Sequence, residues 1–275
     1  MEHKLAVLED ILDAMGTVGV GYSGGVDSTF LAAVCARALP ERAMLFHLET
    51  PLAATPERAS FEQAAASFGL PVISLPFDAL AEPRVAANPA DRCYHCKRAG
   101  FARIIEAACQ RGCDVVVDGS NANDEGDYRP GMRALSELGV RSPLMEAGFS
   151  KAEERELLRA WGYEVWSLPA GACLATRIPC DEALSAEKLA CVRACEDYLH
   201  EMGLEQVRVR LAAGVAQVTA SPQDLDRLRA AGGQDERSCG VALPAHILAT
   251  LQELGPTQVE PIALPYVHGA TSMRA

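Results

Sequence analysis

The sequence predicts an α/β protein in which a parallel sheet, covered by helices on both faces, is followed by a smaller α/β domain. Short β-branched apolar runs alternate with helical patterns through the first two-thirds of the 275 residues, as in chains that build parallel sheets. Hydrophobic residues make up 49% of the chain and charged residues 23%, which is typical of a globular protein. A glycine-rich turn joins the first apolar run to a helical pattern, at the edge where such sheets bind ligands.

The larger domain is predicted element by element. Apolar runs indicate strands over Val18–Ser23, Met44–Leu48, Pro71–Leu75, Asp114–Asp118 and Tyr163–Leu168. Helical patterns lie between them, over Asp27–Leu39, Pro56–Phe68, Cys96–Arg111 and Lys151–Trp161. The last of these helices opens with a capping box formed by Ser150 and Glu153, whereas the polar, proline-containing stretch Pro83–Asp91 predicts a loop.

The pattern changes from about Ala183, which predicts a second domain. A helix, an alternating strand, a second strand and another helix are expected over Glu187–Met202, Gln206–Leu211, Val215–Ala220 and Pro222–Ala231. Pro261–Ala275 has little periodicity and is expected to be extended or mobile. The predicted domains are therefore residues 1–182 and 183–275.

Composition excludes several classes of partner. A net charge of −12 counts against a general polyanion binder, so no nucleic acid is expected. No apolar run approaches the roughly 20 residues that cross a bilayer, and Met1–Leu5 leads into an amphipathic helix rather than a signal peptide. We therefore expect a cytoplasmic protein without a membrane partner. In a reducing compartment, its ten cysteines indicate metal, sulfur chemistry or burial rather than disulfides.

The glycine turn, Ser23-Gly24-Gly25-Val26-Asp27-Ser28, is the strongest functional signal. A glycine pair lets the backbone bend closely around a phosphate, and the start of the following helix offers free N–H groups and a positive dipole end. Asp27 or Ser28 can cap that helix. Neither the Walker nor the dinucleotide fingerprint follows this strand. An ordinary turn is the alternative interpretation.

A second polar loop, Asp118–Gly131, follows a valine-rich strand and carries four acidic residues and Arg129. Its carboxylates could hold Mg²⁺ on a polyphosphate, and Arg129 could hold an anionic oxygen. Ser23, Thr50 and Asp118 each stand at the carboxyl end of a predicted strand, which is the ligand-binding edge of a parallel sheet. A solvated loop is the alternative.

The cysteines allow more than one chemistry. Cys93 and Cys96 form a C-x-x-C motif among basic residues, a setting that favours thiolates, and together with Cys109 and Cys113 they have zinc-finger-like spacing. Cys173 ends the last strand of the larger domain beside Arg177, whose charge would favour a thiolate. The cysteines on helical faces are expected in the core; these are Cys35, Cys191 and Cys195.

Paired arginines mark the smaller domain. Arg208 and Arg210 lie two residues apart on an alternating strand, so both project from one face. Guanidinium pairs suit a phosphate or a carboxylate. Glu196 lies on the preceding helix. A solvated strand face with a surface glutamate is the alternative.

The glycine turn resembles the S-G-G-x-D-S loop of the PP-loop ATP pyrophosphatases, which bind the β,γ-diphosphate of ATP and cleave at its α-phosphate. Four further segments extend the likeness over most of the first 180 residues: Arg92–Lys97, Asp118–Gly131, Arg141–Leu144 and Cys173–Pro179. In this order they resemble the LarE family of sulfur transferases, which make the organic part of the nickel-pincer nucleotide cofactor.

The resemblance implies a defined reaction. ATP adenylates a carboxylate of pyridinium-3,5-biscarboxylic acid mononucleotide, pyrophosphate leaves, and sulfur replaces AMP to give a thiocarboxylate. The residues implied for the diphosphate and Mg²⁺ are Ser23, Gly24, Gly25, Asp27 and Ser28. Thr50 and Gly119 would border the nucleotide and Arg129 would contact its phosphates. Arg208 and Arg210 would hold the substrate's phosphate, with Glu196 acting in proton transfer.

The family supplies sulfur by two routes. In one branch the cysteine corresponding to Cys173 is sacrificed and becomes dehydroalanine; in the other, three cysteines hold a [4Fe–4S] cluster that carries the transferred sulfur. Cys93, Cys96 and Cys173 resemble the cluster branch, because three thiolates leave one iron open, and Cys180 is a spare ligand. The resemblance also implies a homo-oligomer and a sulfur-delivery protein.

Other functions stay open from the residues alone. An amide-forming PP-loop synthetase would need no reactive cysteine, and a PP-loop tRNA thiolase would bind tRNA, against the charge of this chain. A regulatory protein would bind ATP without releasing pyrophosphate.

Overall fold

The computed structural model describes residues 1–55, 61, 66–124, 130–168, 171–234 and 240–267. The chain divides into two compact units, one formed by Met1–Glu82 with Asp91–Gly171 and the other by Pro83–Ala90 with Ala172–Ala275. This division describes packing. The functional assignment of residues 1–182 to nucleotide binding and 183–275 to substrate binding or oligomerisation stays a prediction.

The described helices, in chain order, are α1 Glu2–Asp13, α2 Val26–Ala38, α3 Pro83–Ala86, α4 Arg92–Cys109, α5 Pro130–Glu137, α6 Pro143–Glu146, α7 Lys151–Ala160, α8 Ala186–Glu201, α9 Pro222–Ala230 and α10 Ala245–Glu253. The described strands are β1 Val18–Gly21, β2 Ala43–Glu49, β3 Val72–Pro76, β4 Val115–Val117, β5 Val207–Ala212, β6 Val215–Ala220, β7 Val241–Ala242, β8 Gln258–Val259 and β9 Ile262–Pro265. Among the described residues, no helix combines the length and apolarity that a bilayer span requires.

The first unit contains a four-stranded parallel sheet in the order β3-β2-β1-β4, so the predicted α/β class is confirmed. Short apolar strands form this sheet because both of its faces are covered by helices. On one face α1, α2 and α7 pack around Leu12, Phe30 and Leu158. On the other, α4 and α5 pack around Ile104 and Leu135. All four carboxyl ends therefore lie on one edge.

The second unit is a mixed sheet in the order β5-β6-β9-β7, with β8 also paired to β6. Strands β5 and β6 form an antiparallel hairpin, whose turn is made by Ala213 and Gly214 with φ of 48° and 84°. Helix α8 packs on β5. The predicted extended tail is in part a paired strand, because β9 lies parallel to β6 and antiparallel to β7. Residues 268–275 lie outside the described residues.

Two predicted elements have a different secondary structure in the folded chain. Tyr163–Leu168 is not a strand: Glu164–Ser167 forms a 3₁₀ turn, and the outer edge of β4 is paired instead with Arg141. The apolar residues of this segment, including Val165, pack into the helical core. The stretch Pro83–Asp91 is not all loop but contains α3.

Helix α4 begins at Arg92 rather than at Cys96, so both cysteines of the C-x-x-C motif are helical. The other predicted elements agree within a few residues, and the capping box of Ser150 and Glu153 is formed at the start of α7. Most of the predicted helix Pro56–Phe68 lies outside the described residues.

Candidate nucleotide site and sulfur site

The glycine turn lies between β1 and α2 and is held by its own short hydrogen bonds. Gly24 has φ of 83°, a left-handed conformation that glycine adopts without strain. The Ser28 Oγ atom accepts from the backbone N–H of Ser23 at 3.2 Å and lies 3.0 Å from the Ser23 Oγ atom. Gly25 is the extended N-cap of α2, and its C=O accepts from the Thr29 N–H at 2.9 Å. The turn is thus preformed around the first N–H groups of α2.

Gly119 closes the opposite side of this turn. A Cβ atom added at Gly119 would lie 2.8 Å from the backbone nitrogen of Ser28 and 3.0 Å from the carbonyl carbon of Asp27. Real side chains do not tolerate such distances, and both neighbours are backbone atoms that cannot swing aside. The loop after β4 can therefore approach α2 only because residue 119 is a glycine.

Asp118 anchors the loop after β4 that carries Gly119. Its carboxylate is buried and accepts hydrogen bonds from the Ser142 Oγ atom at 2.6 Å and the Ser120 Oγ atom at 2.5 Å. The Lys97 Nζ atom lies 3.5 Å from the same carboxylate. These contacts hold the Asp118 carboxylate in place, so this residue acts as a structural anchor for Gly119.

Asp27, in the first turn of α2, presents a partly exposed carboxylate. The Lys151 Nζ atom forms an ion pair with its Oδ2 atom at 3.0 Å, and the Asn121 Nδ2 atom donates to its Oδ1 atom at 3.3 Å. A carboxylate at this position, beside a turn that suits a diphosphate, has the oxygen chemistry that Mg²⁺ prefers. Asp27 therefore fits the predicted magnesium ligand.

Glu154 is a buried carboxyl beside Asp27 that the sequence did not reveal. Its side chain is fully buried, and neither carboxyl oxygen makes a hydrogen bond of normal geometry, although Asp27 and Asn121 lie next to it. Burial raises the pKa of Glu154 well above its usual value, and the neighbouring Asp27 carboxylate raises it further. The one sequence signal is its spacing: Glu154 stands four residues before buried Leu158, on the core-facing stripe of α7.

Of the two remaining predicted nucleotide contacts, Thr50 lies within the described residues and Arg129 does not. Thr50 follows β2 at the same edge of the sheet, and its Oγ1 atom accepts from the Leu52 N–H at 3.3 Å. Arg129 lies outside the described residues. Whether either residue contacts ATP stays a prediction.

The C-x-x-C cysteines lie in the first two turns of α4, three residues apart and hence on one helix face. Cys93 is exposed, Cys96 is half-buried, and the Arg92 guanidinium lies 3.7 Å from the Cys93 Sγ atom. The zinc alternative fails, because Cys93 and Cys109 stand at opposite ends of one helix, about 24 Å apart at 1.5 Å per residue. Among the described residues, no three His, Cys, Asp or Glu side chains converge as a metal site.

Cys173, in the second unit, caps a 3₁₀ turn over Leu174–Arg177 and does not end a strand as predicted. It forms no disulfide and is half-buried. Arg177 does not leave a free positive charge beside the thiol: its guanidinium donates to Glu196 Oε1 at 2.8 Å and Oε2 at 3.1 Å, and to the Ala172 C=O at 2.9 Å. Arg177 therefore holds the backbone of the Cys173 turn.

Glu196 is almost fully buried and completely paired. Besides Arg177, it accepts from the backbone N–H of Val209 at 2.8 Å, which ties α8 to β5. Its part in proton transfer stays a prediction.

Arg208 is buried and Arg210 half-buried, so β5 does not present a solvated face. The Arg208 guanidinium lies 5.9 Å from the ring centre of Tyr266.

Comparisons with known proteins agree with this geometry. The family model described as asparagine synthase matches residues 6–93. An uncharacterized protein of Synechocystis is 36% identical over 228 residues, which cover 82% of this chain and 85% of the relative. The pyridinium-3,5-bisthiocarboxylic acid mononucleotide synthase of Lactiplantibacillus plantarum is 33% identical over 218 residues, 78% of either chain. An uncharacterized protein of Methanocaldococcus jannaschii is 28% identical over 193 residues, covering 70% and 72%.

A parallel sheet with a preformed Ser-Gly-Gly-x-Asp-Ser turn at its carboxyl edge, closed by Gly119, defines a PP-loop ATP pyrophosphatase. Within that class, the extent and degree of identity to the Lactiplantibacillus enzyme decide the family. The chain belongs to the LarE family, as the sequence motifs predicted, and it is an enzyme of the sulfurtransferase class.

Proposed function

We propose that this enzyme uses ATP to convert a carboxylate of pyridinium-3,5-biscarboxylic acid mononucleotide into a thiocarboxylate, as a step in nickel-pincer nucleotide biosynthesis. The observation that carries the proposal is the preformed glycine turn facing Gly119, in a chain similar to a synthase of the corresponding bisthiocarboxylic acid. A small nucleotide substrate also agrees with the absence of a basic charge balance.

The first step would be activation. A substrate carboxylate oxygen forms a bond to the α-phosphorus of ATP while the bond from that phosphorus to the bridging oxygen breaks, and pyrophosphate leaves. Backbone N–H groups of the glycine turn and the hydroxyls of Ser23 and Ser28 are suited to hold the departing diphosphate. Asp27 would hold Mg²⁺, which supplies positive charge on the phosphate oxygens.

The second step would be sulfur transfer. A sulfur nucleophile forms a bond to the activated carbonyl carbon, and the carbon–oxygen bond to AMP breaks, because AMP is a far better leaving group than a bare carboxylate oxygen. Cys173 is the residue that both family routes require. Its half-buried thiol sits on a backbone that Arg177 and Glu196 immobilise, which suits a nucleophile that must be held in place. Arg208 and Arg210 would hold the substrate's phosphate.

The group that supplies the transferred sulfur is a separate question. Cys93 and Cys96 fit two positions of an iron–sulfur ligand set, since neither forms a disulfide and the two share one helix face. Cys173 belongs to the other compact unit, and the described residues contain no converging group of three ligands. When bound, a [4Fe–4S] cluster would supply sulfide for repeated turnovers. We propose that Cys93, Cys96 and Cys173 hold it; sacrifice of Cys173 is the other route.

A single assay tests the two steps separately. The full chain, purified without oxygen, is mixed with ATP, Mg²⁺ and the biscarboxylic acid mononucleotide, and pyrophosphate and thiocarboxylate are measured by coupled assay and mass spectrometry. C173A should still release pyrophosphate but should form no thiocarboxylate, because activation precedes sulfur transfer. C109A, which changes an exposed cysteine of α4, is the control and should do both. Absence of substrate-dependent pyrophosphate release from the wild type would refute the function.

The source of sulfur is decided on the wild-type protein. Iron and acid-labile sulfide in the anaerobic protein, with an unchanged chain mass after turnover, would support the cluster. A chain lighter by the mass of H₂S after turnover, without iron, would select sacrifice of Cys173.

An amide-forming synthetase is the second candidate, favoured by the match of residues 6–93 to the asparagine synthase family. It would give pyrophosphate with an amine acceptor and would be indifferent to C173A. The homo-oligomer and the sulfur-delivery protein that the family implies remain proposals. Light scattering of the purified chain tests the first, and persulfide transfer from a cysteine desulfurase tests the second.

A further inference from the structure

Asn88, a fully buried residue of the second unit, joins two stretches of chain that lie far apart in the sequence. Its Nδ2 atom donates to the Pro179 C=O at 2.7 Å and to the Glu182 C=O at 3.0 Å, and the Ile178 C=O lies 3.4 Å from the same nitrogen. A primary amide has two N–H donors, so the two shorter contacts use both. The Asn88 C=O accepts in turn from the Asp181 N–H at 2.9 Å.

The backbone of Asn88 does not by itself explain why an asparagine stands there. Its φ is 57°, in the left-handed region, which asparagine enters more readily than most residues but which glycine adopts without strain. Burying an amide costs free energy unless its polar atoms find partners. The side chain is therefore explained by the carbonyl groups that it meets, and its function is to hold the two stretches together.

Each of these stretches leads to a cysteine of the proposed sulfur site. Cys93 follows Asn88 by five residues and stands in the first turn of α4. Five residues span at most about 18 Å, so the place of Asn88 limits where Cys93 can lie. On the other stretch, Cys173 precedes Pro179 by six residues, and the 3₁₀ turn Leu174–Arg177 shortens that connection.

We propose that Asn88 is a positioning residue for sulfur transfer: its amide holds the chain before Cys93 to the chain after Cys173, so that both cysteines serve one reaction. The inference rests on the proposed function and deepens it. Asn88 belongs to the second unit and the glycine turn to the first, so loss of the amide should spare ATP activation. Activation and sulfur transfer should therefore become uncoupled in an Asn88 variant.

The first test is N88G, because glycine keeps the left-handed backbone and removes only the side chain. The backbone bond from the Leu184 N–H to the Ala86 C=O, at 2.7 Å, still joins the two stretches. Pyrophosphate release should stay within about twofold of the wild type, and thiocarboxylate formed per pyrophosphate should fall at least about tenfold, since a displacement of about 1 Å costs about 100-fold. D181G makes the same change at an exposed left-handed residue of the same loop and should keep the wild-type ratio.

A merely structural role for Asn88 predicts a different result. N88G would then lose both products in proportion to the folded fraction and would keep their ratio, which would overturn the proposal. Absence of substrate-dependent pyrophosphate release from the wild type would instead count against the proposed function.

The second test needs no variant. The wild type, before turnover and in the presence of a chelator, is treated with a short bismaleimide, and linked peptides are identified by mass spectrometry. A link from Cys173 to Cys93 or Cys96 is expected. Its absence would overturn the positioning role whether or not N88G folds, while leaving ATP activation intact.

Discussion

The two compact units each bury a glutamate, and the two glutamates are in opposite situations. Glu196, in the second unit, makes two hydrogen bonds to Arg177 and one to the Val209 N–H, so its charge and its oxygens are satisfied. Glu154, in the first unit, is equally buried and has no hydrogen bond of normal geometry. The protein therefore supplies all the partners of Glu196 but not those of Glu154.

This difference distinguishes a buried charge that the protein pairs itself from a buried carboxyl that it does not. A buried charge that the protein pairs completely contributes to holding elements together, here the Cys173 turn, α8 and β5. A buried carboxyl left without a donor costs folding free energy.

The largest expected effect on stability concerns the hydrogen-bonded network of Glu196, Arg177 and Val209. E196Q should lower the free energy of unfolding by about 3 kcal/mol, because the Arg177 guanidinium would stay buried without its counter-charge. Urea denaturation followed by circular dichroism measures this loss, and E201Q, an exposed change at the end of α8, is the control. A stable but inactive E196Q would instead favour the predicted role of Glu196 in proton transfer.

The next effect tests the closure of the nucleotide site. G119A should reduce substrate-dependent pyrophosphate release about 100-fold, since displacement of catalytic geometry by about 1 Å has that order of cost. The new Cβ atom would press on the backbone of Ser28 and Asp27. G112A is the control for strain away from the site: the space beside Gly112 is open but its φ is 75°, so this substitution should lower stability without changing pyrophosphate release by the folded protein. Normal pyrophosphate release by folded G119A would show that Gly119 does not border the site.

A smaller effect concerns the helix that carries Glu154. The Lys4 ammonium and the Ser150 hydroxyl and N–H lower the pKa of Glu153 from 4.5 to about 2. Because the folded-state pKa is depressed, this stabilisation is present above about pH 4.5 and is lost as the pH falls toward 2. Solvent screening should keep it near 1 kcal/mol. E153Q should remove this part of the acid dependence of stability, whereas E156Q should retain it.

The smallest effect is the counterpart of E196Q. E154Q should change the free energy of unfolding by less than about 1 kcal/mol, because burial raises the pKa of Glu154 to about 9 and the side chain is therefore already uncharged near neutral pH. Thermal and urea unfolding in the presence of a chelator measure this difference. A loss as large as that of E196Q would contradict the contrast between the two glutamates.

Local sequence determined the nucleotide turn and most of the secondary structure. The hydrogen bonds that shape the turn join residues no more than five apart, from Ser23 to Ser28, and the positive φ of Gly24 needs only the absence of a side chain. Capping at Ser150 and the apolar periods are local in the same sense. For this reason the motifs alone predicted the fold class and the family.

Tertiary structure decided the rest, because its determinants lie far apart in the chain. The segment Tyr163–Leu168 has a strand-like composition, but Arg141 occupies the edge of β4, and only the assembled sheet reveals that competition. Lys151 meets Asp27 across 124 residues. No local pattern in the sequence indicates such a contact. The unpaired carboxyl of Glu154 and the complete pairing of Glu196 are therefore seen only in the folded structure, where burial removes water as a partner for both.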